Sequence, residues 1–389
     1  MESTGFQCSP LDLDDVRQLK QLARQVAQEA VKYAFFTTSP INWHLSSDDQ
    51  GIQIYSGVDN TAPPNVSTWM SVSTLQASLD DVARMSYCES TAEYKQFIDA
   101  SGSIFTDGAR LYNIERPTHD NPHDFIGVNW LKQTSKLNGM GIKPRDFCVV
   151  EIHQDTKIQG TRAWVRAMRS IKLREEPYWM NSPGVIRGEI YRFGAVFVET
   201  NQPNLLQVFH LTQINPKGRV NDLIVKFHAS RYISSMAKKL SGMLRSYRLS
   251  CSGFKNECDL VPKASRQRCG LCNKAFNLLL PKARCRKCGE VVCWGCSKVW
   301  LVRDCGIPTK RRVCTACCVN VASDIISSTA LSTPEEEKKL FIVDDDDGED
   351  ESVDDVGSDV GESLVCAPQH SSSRHVYRPD AAKLLKAYS

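Results

Sequence analysis

This sequence of 389 residues lacks the long hydrophobic runs and leader segments that place proteins in or across membranes. No run approaches the roughly 18 apolar residues of a membrane span. Residues 1–10 contain neither the basic start nor the apolar stretch of a secretory signal. We therefore expect a cytoplasmic protein in a reducing compartment, for which any contact with a membrane is peripheral.

Patterns typical of enzymes are also missing. The sequence has no nucleophile with a paired base and acid, no glycine-rich phosphate loop after a strand and no cluster of acidic metal ligands. Three histidines in the middle of the chain, His153, His210 and His228, lack the spacing of metal ligands. We expect a protein without catalytic activity.

Cysteine, in contrast, is abundant and patterned. Eight of the 16 cysteines form four C-x2-C pairs, separated by twelve, four and seventeen residues. Two residues between cysteines allow a tight turn to present both sulfurs to one side of a metal ion, and two pairs complete a closed four-cysteine zinc site. Regular pairing in a chain without a secretory signal favours zinc over a cluster of disulfides.

The short gap between the second and third pairs favours cross-bracing, in which alternate pairs share an ion. The sequence thus predicts two zinc ions (Zn²⁺). The ligands of zinc 1 are Cys269, Cys272, Cys293 and Cys296, and those of zinc 2 are Cys285, Cys288, Cys314 and Cys317. Cys318 could replace Cys317, so the last pair has an alternative, while Cys251 and Cys258 are predicted to be free thiols.

The net charge of +3 conceals two regions of opposite sign. Lys263–Arg312 has thirteen lysines and arginines against two acids, and it stays basic after the charge of two four-thiolate zinc centres is included. Glu335–Glu362 has fourteen acids against two lysines. Self-repulsion and few apolar residues predict a disordered acidic tail over 334–389.

Hydrophobic spacing predicts helices at both ends of the region before the cysteines. Asp12–Phe36 repeats apolar residues at helical spacing behind a capping aspartate, and a long helix runs from a capping Asn221 to about Tyr247. A weaker helical pattern covers Thr74–Ala100. The other elements read as strands: Gly51–Tyr55, Arg110–Arg116, Ile126–Thr134, Asp146–His153, Arg162–Lys172, Val185–Tyr191, Ala195–Glu199 and Leu205–Ile214.

One of these strands shows the alternation of a half-buried antiparallel strand. Cys148, Val150 and Ile152 share an apolar face, whereas Glu151 and His153 point the other way. We therefore expect Glu151 and His153 on the more polar face of the sheet.

Residues 13–249 resemble a START-type lipid-binding domain. The resemblance rests on Trp43 followed by Gly51–Tyr55, on Pro144–Cys148 in the predicted sheet, and on the long helix after Pro216–Gly218. It implies an α+β helix-grip fold, in which a curved antiparallel sheet surrounds a long C-terminal helix and an apolar cavity shelters one lipid. A fold of this kind also persists with its cavity filled by side chains, so both a lipid ligand and a filled cavity are considered.

After a linker at 250–262, residues 263–320 resemble a FYVE-type zinc finger. Such fingers bind phosphatidylinositol 3-phosphate on endosomal membranes through three sequence elements. The first, Trp-x-x-Asp, is replaced here by Leu260 and Lys263. The second, Arg-(Arg/Lys)-His-His-Cys-Arg, reads Pro281–Arg286 and lacks both histidines, whereas the third, Arg-Val-Cys, is intact at Arg312–Cys314.

The resemblance places phosphoinositide binding on the basic residues Lys282, Arg284, Arg286, Lys287 and Arg312. Charge alone attracts anionic lipid by about 1 kcal/mol per basic residue near the surface, without selectivity. Because the donor geometry of the family is altered here, selective binding of a 3-phosphate and unselective binding of anionic membranes are both considered.

Three leucines, Leu278, Leu279 and Leu280, lie where FYVE fingers have a loop that enters the bilayer. Leucines beside a basic patch predict membrane insertion. The alternative is that they pack against the START-like domain or within the small core of the finger.

Together these patterns predict a peripheral membrane protein that docks through its finger and binds or transfers a lipid in its START-like cavity, and the resemblance to FYVE fingers implies an endosomal membrane. The alternative is a non-catalytic scaffold, with a filled cavity and a finger that binds other proteins. Nucleic acid is not an expected partner, because the sequence has no recognition-helix pattern and no aromatic stacking platform.

Overall fold

The computed structural model describes residues 8–63, 66–101, 104–134, 143–175, 183–218 and 222–323, except for the side chains of 222–228 and 320–323. The predicted cap at Asn221 and the predicted tail at 334–389 lie outside these residues. Within the described part of the chain, no helix has the length and hydropathy that crossing a membrane requires.

Helix α1 (Leu13–Ala34) begins where the sequence predicts. The Asp12 carboxylate accepts a hydrogen bond from the backbone N–H of Asp15 at 2.7 Å, which satisfies one of the free donors of the first turn. The buried face of α1 is rich in alanine, so the helix lies close against the sheet through Ala23, Val26, Ala27 and Ala30.

The described residues form one large sheet of ten strands, with neighbours in the order β1-β2-β3-β10-β9-β7-β6-β5-β4 and β8 beside β6. All pairs are antiparallel except that of β6 with β8. The strands are β1 (Asn42–Asp49), β2 (Ile52–Val58), β3 (Ser67–Gln76), β4 (Asp107–Glu115), β5 (Phe125–Gln133), β6 (Arg145–Ile158), β7 (Thr161–Ser170), β8 (Ile186–Arg187), β9 (Glu189–Glu199) and β10 (Leu205–Asn215).

The predicted helix over Thr74–Ala100 is wrong in its start and its continuity, although most of the range is helical. Its first residues belong to β3, and the rest forms two helices, α2 (Leu79–Ser86) and α3 (Thr91–Ser101). Sequence reasoning missed strand β3, although Met70 and Val72 alternate with Ser71 and Ser73 as residues of a strand do. The capping box of Ser78 and Asp81 marks the true start of α2.

Helix α4 (Asp222–Cys251) lies against one face of the sheet, and α1 lies against the other. On β6, Val150 and Ile152 pack with α1, whereas Val149 belongs to the cluster that includes Tyr232 of α4. This arrangement confirms the predicted helix-grip fold.

The expectation that β6 is half-buried is wrong. Glu151 and His153 are 0% and 2% exposed, respectively. Alternation in the sequence distinguishes the two faces of a strand, but it does not reveal that another element covers the polar face.

The cysteine-rich region forms two small hairpins and a terminal helix. Strand β11 (Lys282–Arg284) pairs with β12 (Val291–Cys293), β13 (Ser297–Asp304) pairs with β14 (Ile307–Cys314), and α5 (Thr315–Ser323) follows. Its core includes ligand cysteines together with Val302, Val313 and Leu249, and Leu249 belongs to the last turn of α4. One helix thus contributes to the cores of both modules.

Candidate metal centres, cavity and membrane surface

The first and third cysteine pairs meet in space. The sulfurs of Cys269, Cys272, Cys293 and Cys296 all lie within 4.8 Å of one another, and the Cys272 and Cys293 sulfurs are 3.8 Å apart. Four sulfurs arranged as a tetrahedron around zinc, with Zn–S bonds of about 2.3 Å, are separated by about 3.8 Å. This group therefore fits a closed structural zinc site.

The second and fourth pairs form an equivalent group. The sulfurs of Cys285, Cys288, Cys314 and Cys317 lie within 4.8 Å of one another, and those of Cys288 and Cys314 are 4.0 Å apart. The pairing is thus cross-braced, as the spacing predicts. Cys317 completes the group, while its neighbour Cys318 is buried in the apolar core.

Backbone geometry explains why these turns hold metal. The Cys269 sulfur accepts hydrogen bonds from the N–H groups of Leu271 at 3.4 Å and Cys293 at 3.3 Å, and such donors favour a thiolate. The residue after each of the first two pairs has positive φ, 55° at Asn273 and 85° at Gly289. This conformation lets the N–H of that residue bond to the carbonyl of the first cysteine of its pair, at 3.0 Å and 2.8 Å, and so closes the turn.

A cavity of about 80 Å³ lies between α4 and the sheet. It is much smaller than the 300–1,000 Å³ typical of ligand pockets. Its wall is largely apolar and includes the flexible Met85 and Met236 beside Phe97 and Tyr232. Four serines, Arg166 and His210 add polar groups to the wall.

A buried ionic cluster adjoins this cavity. The Glu151 carboxylate accepts hydrogen bonds from Arg166 Nε at 2.6 Å and from Asn129 Nδ2, and it lies 3.5 Å from Arg110 Nη1. The Arg166 guanidinium lies over the Phe97 ring, 4.4 Å from its centroid. Two guanidinium groups and one carboxylate give this cluster an excess of one positive charge.

The protonation states of the buried titratable groups preserve this excess of one positive charge. Burial alone would raise the pKa of Glu151, but Arg166 and the other donors around it hold the pKa well below its ordinary value. Burial lowers the pKa of His153 and, together with Arg166, lowers that of His210 to about 3, so both imidazoles are neutral. Among the described residues, Arg110 Nε and His210 Nδ1 have no hydrogen-bond partner.

Sequence reasoning missed this cluster. Its signal was one charged residue between apolar neighbours in each strand: Glu151 between Val150 and Ile152, and Arg166 between Val165 and Ala167. Because surface strands also have isolated charges, that signal does not distinguish a buried pair from two solvated side chains.

A family model described as FYVE zinc finger matches residues 259–323. Residues 259–323 are thus similar to FYVE zinc fingers, and they follow a domain with the helix-grip fold. The predicted cofactor, two zinc ions, is confirmed by this match together with the two cysteine groups.

Solved structures resemble each part of the chain. Human StAR-related lipid transfer protein 5 is 13% identical, with a TM-score of 0.46, over 59% of this chain and 97% of that one. Human STARD10 is 13% identical, with a TM-score of 0.39, over 63% and 84%. The LM5-1 FYVE domain from Leishmania major is 27% identical, with a TM-score of 0.16, over 20% and 88%. No curated protein matches this chain.

Two of the five basic residues predicted to bind phosphoinositide share one acidic partner. Glu257, which precedes the FYVE finger, pairs with Arg284 through one carboxylate oxygen and with Arg286 Nη1 through the other, at 2.7 Å. Leu260, at the tryptophan position of the missing Trp-x-x-Asp element, is buried at 5% exposure. The segment before the first cysteine therefore packs on the finger and presents a carboxylate to its basic strand.

The other three basic residues have partners within the protein. Lys282 donates to the carbonyl oxygens of Lys263 at 3.0 Å and Arg266 at 2.7 Å. Arg312 lies over the Trp294 ring at 4.8 Å from its centroid. Lys287 donates to backbone carbonyls at the end of α4, which indicates a structural role for this residue.

The three leucines do not share one environment. Leu280 N–H bonds to the Asn277 carbonyl at 3.1 Å, which closes a turn with Leu278 and Leu279 at its centre. These two side chains are 101% and 94% exposed, whereas Leu280 packs against the core of the finger. Of the three predicted insertion residues, Leu278 and Leu279 are thus exposed and Leu280 is not.

Proposed function

We propose that this protein docks on anionic membranes through its FYVE finger and binds a lipid in its START-like domain, without catalysis, as a cytoplasmic peripheral protein. The observation that carries the proposal is the turn at Leu278 and Leu279. These are the most exposed large apolar side chains in the described part of the chain. Adjacent exposed leucines at the tip of a tight turn are unfavourable in water and favourable at the edge of a bilayer.

The energetics favour joint action of the loop and the charges. Burying a leucine contributes about 1.5–3 kcal/mol, and each nearby basic residue adds about 1 kcal/mol on an anionic surface. Lys282 follows Leu280 by two residues, so its positive charge is close to the loop of Leu278 and Leu279. Either contribution alone gives weak binding, whereas the two together give stable attachment.

Vesicle co-sedimentation of the zinc-loaded full chain tests the docking. Replacing both Leu278 and Leu279 by serine should weaken binding to vesicles with phosphatidylserine by tenfold or more. The matched control replaces Leu13 and Leu45, which are 82% and 55% exposed in the START-like domain, and should bind as the parent protein does. Equal binding by both double variants would contradict insertion through the loop.

Selectivity of the finger for one phosphoinositide is distinct from its attraction to anionic membranes. We propose that Arg284, Arg286 and Arg312 favour phosphatidylinositol 3-phosphate, which would place the protein on endosomes. At physiological salt, vesicles containing this lipid should bind more strongly than vesicles of matched charge that contain phosphatidylinositol 4-phosphate. Equal binding would leave a charge-driven anchor without selectivity.

For the cavity, we propose a lipid with a polar or anionic group that accepts hydrogen bonds from Arg166 and its neighbours. The positive excess of the buried cluster and the free donor of Arg110 support such an acceptor. The volume of about 80 Å³ requires α4 and its methionines to shift before a lipid enters.

The small volume also favours the second candidate function, a scaffold with a filled cavity. Native mass spectrometry of the purified full chain distinguishes the two. A co-purified lipid, or one taken up from vesicles, would support lipid binding. Absence of any adduct after incubation with mixed lipids would support the scaffold.

A further inference from the structure

The carboxylate of Glu257 is bound to the FYVE finger in the way that an anionic ligand would be. Its two oxygens bind two different guanidinium groups, those of Arg284 and Arg286. Arginine pairs of this kind bind phosphate oxygens with the same donors. We propose that Glu257 is an internal competitor, which occupies the phosphate site of the finger and must leave before a phosphoinositide headgroup binds.

The backbone around Glu257 is fixed to the finger, so only the side chain needs to move. Lys255 N–H bonds to the Arg286 carbonyl at 2.8 Å, and Val261 N–H bonds to the Gly289 carbonyl at 3.0 Å. These two bonds flank Glu257 and hold it beside the basic strand. The Glu257 side chain is itself 66% exposed, whereas those of Arg284 and Arg286 are 26% and 19% exposed. Rotation of one exposed side chain into water therefore uncovers both guanidinium groups.

A phosphate satisfies this site more fully than a carboxylate does. Arg286 Nε has no hydrogen-bond partner among the described residues, although Nη1 of the same guanidinium binds Glu257. A carboxylate offers two oxygens, which here serve two arginines, whereas a phosphate monoester offers three. The incoming phosphate thus replaces both existing contacts and supplies an acceptor for the remaining donor.

The competitor stays charged under cellular conditions. Hydrogen bonds from Arg284 and Arg286 lower the pKa of Glu257, so mild acidity does not release it. Displacement consequently depends on the concentration of phosphoinositide at the membrane. In this inference, which rests on the proposed docking function, Glu257 sets the lipid density at which the protein attaches.

The test compares Glu257→Gln with the parent protein as zinc-loaded full chains. Vesicles of phosphatidylcholine with increasing amounts of phosphatidylinositol 3-phosphate are titrated at physiological salt. The glutamine keeps the shape of the side chain but loses its charge, and exposed ion pairs of this type are weak. We expect about threefold to tenfold tighter binding by the variant.

Glu290→Gln is the matched control. It removes the same charge from the same finger, but it breaks the pair of Glu290 with Arg266, at 2.9 Å, and leaves Arg284 and Arg286 untouched. Zinc content and the thermal midpoint of all three proteins establish that each is folded. A soluble inositol phosphate with a 3-phosphate, added as a competitor, separates headgroup recognition from attraction to the surface.

The outcomes separate this inference from the docking function. Tighter binding by Glu257→Gln than by Glu290→Gln supports internal competition. Equal binding by the two variants overturns it and leaves docking intact, because both then act through net charge. Weaker binding by Glu257→Gln also overturns it and would make Glu257 a positioning residue for the arginines. Absence of binding by all three proteins would overturn the docking function and this inference together.

Discussion

Lys287 of the FYVE finger donates a hydrogen bond to the carbonyl oxygen of Leu249 in α4, at 2.7 Å. Its ammonium group also bonds to the carbonyl of Gly253 at 3.1 Å and lies over the Phe254 ring, 3.8 Å from its centroid. A lysine at this place satisfies carbonyl groups that the end of a helix leaves free, and its charge complements the helix dipole. The finger thus caps the helix that covers the cavity.

Lys287→Met should destabilise the protein. Membrane contact should be unaffected, because it is made by the loop leucines Leu278 and Leu279. The methionine keeps most of the volume but loses the charged donor, and a hydrogen bond to a charged group contributes about 1.5–3 kcal/mol. We expect the free energy of unfolding to fall by about 2 kcal/mol in urea denaturation. The control Lys274→Met, at an exposed position of the finger, should change it by less than 0.5 kcal/mol, as surface substitutions usually do.

Leu249→Ala should affect zinc retention although Leu249 lies outside the cysteine region. This side chain is 0% exposed and packs in the core of the finger, so its truncation leaves a cavity beside the ligands, at a cost of about 2–5 kcal/mol. We expect faster zinc release to a chromogenic chelator. Leu244→Ala, on the same helix but in the START-like core, should lower stability with little change in zinc release, and equal release by both would refute this division.

Cys317→Ser and Cys318→Ser should differ in metal content. Cys317 belongs to the second four-sulfur group, whereas Cys318 is buried beside it without taking part. A serine cannot replace a thiolate ligand, so the first variant should hold at most one tightly bound zinc ion and the second should hold two. Atomic emission measures the zinc content per mole of protein and so tests this difference. The reverse pattern would show that Cys318, not Cys317, is the last ligand.

The neutral His210 should make stability depend on pH. Its folded pKa of about 3 lies far below the ordinary value of about 6.5. Below pH 6.5 the unfolded chain binds a proton that the folded protein does not, so stability falls as the pH is lowered. Between pH 7.5 and 5.5 this one group should contribute a loss of about 1.4 kcal/mol. His210→Asn should reduce the loss measured by urea denaturation at the two pH values, and an unchanged loss would show that His210 is protonated when folded.

Local pattern was sufficient wherever neighbouring residues decide the structure. The cap at Asp12, the stripe of α1 and the long α4 were all predicted, because helix signals depend on residues within a few turns. The cysteine pairs likewise encode their own pairing, since the gap between Cys288 and Cys293 is too short for these two pairs to share an ion. Strand β3 was missed although Met70 and Val72 alternate with Ser71 and Ser73, because so short an alternation is a weak signal beside the helical spacing that follows it.

By itself the sequence determined the two-zinc finger, the helices α1 and α4 and the basic character of the region around the cysteines, while the helix-grip fold was implied by the resemblance to START-type domains. The reason is that spacing, periodicity and charge are properties of the chain before it folds. Only the tertiary structure decided which groups meet across long separations. It placed Glu257 on Arg284 and Arg286, buried Glu151 with Arg166, exposed Leu278 and Leu279 but not Leu280, and joined Leu249 to the finger. Such contacts depend on how distant elements pack, and no local pattern in the chain specifies them.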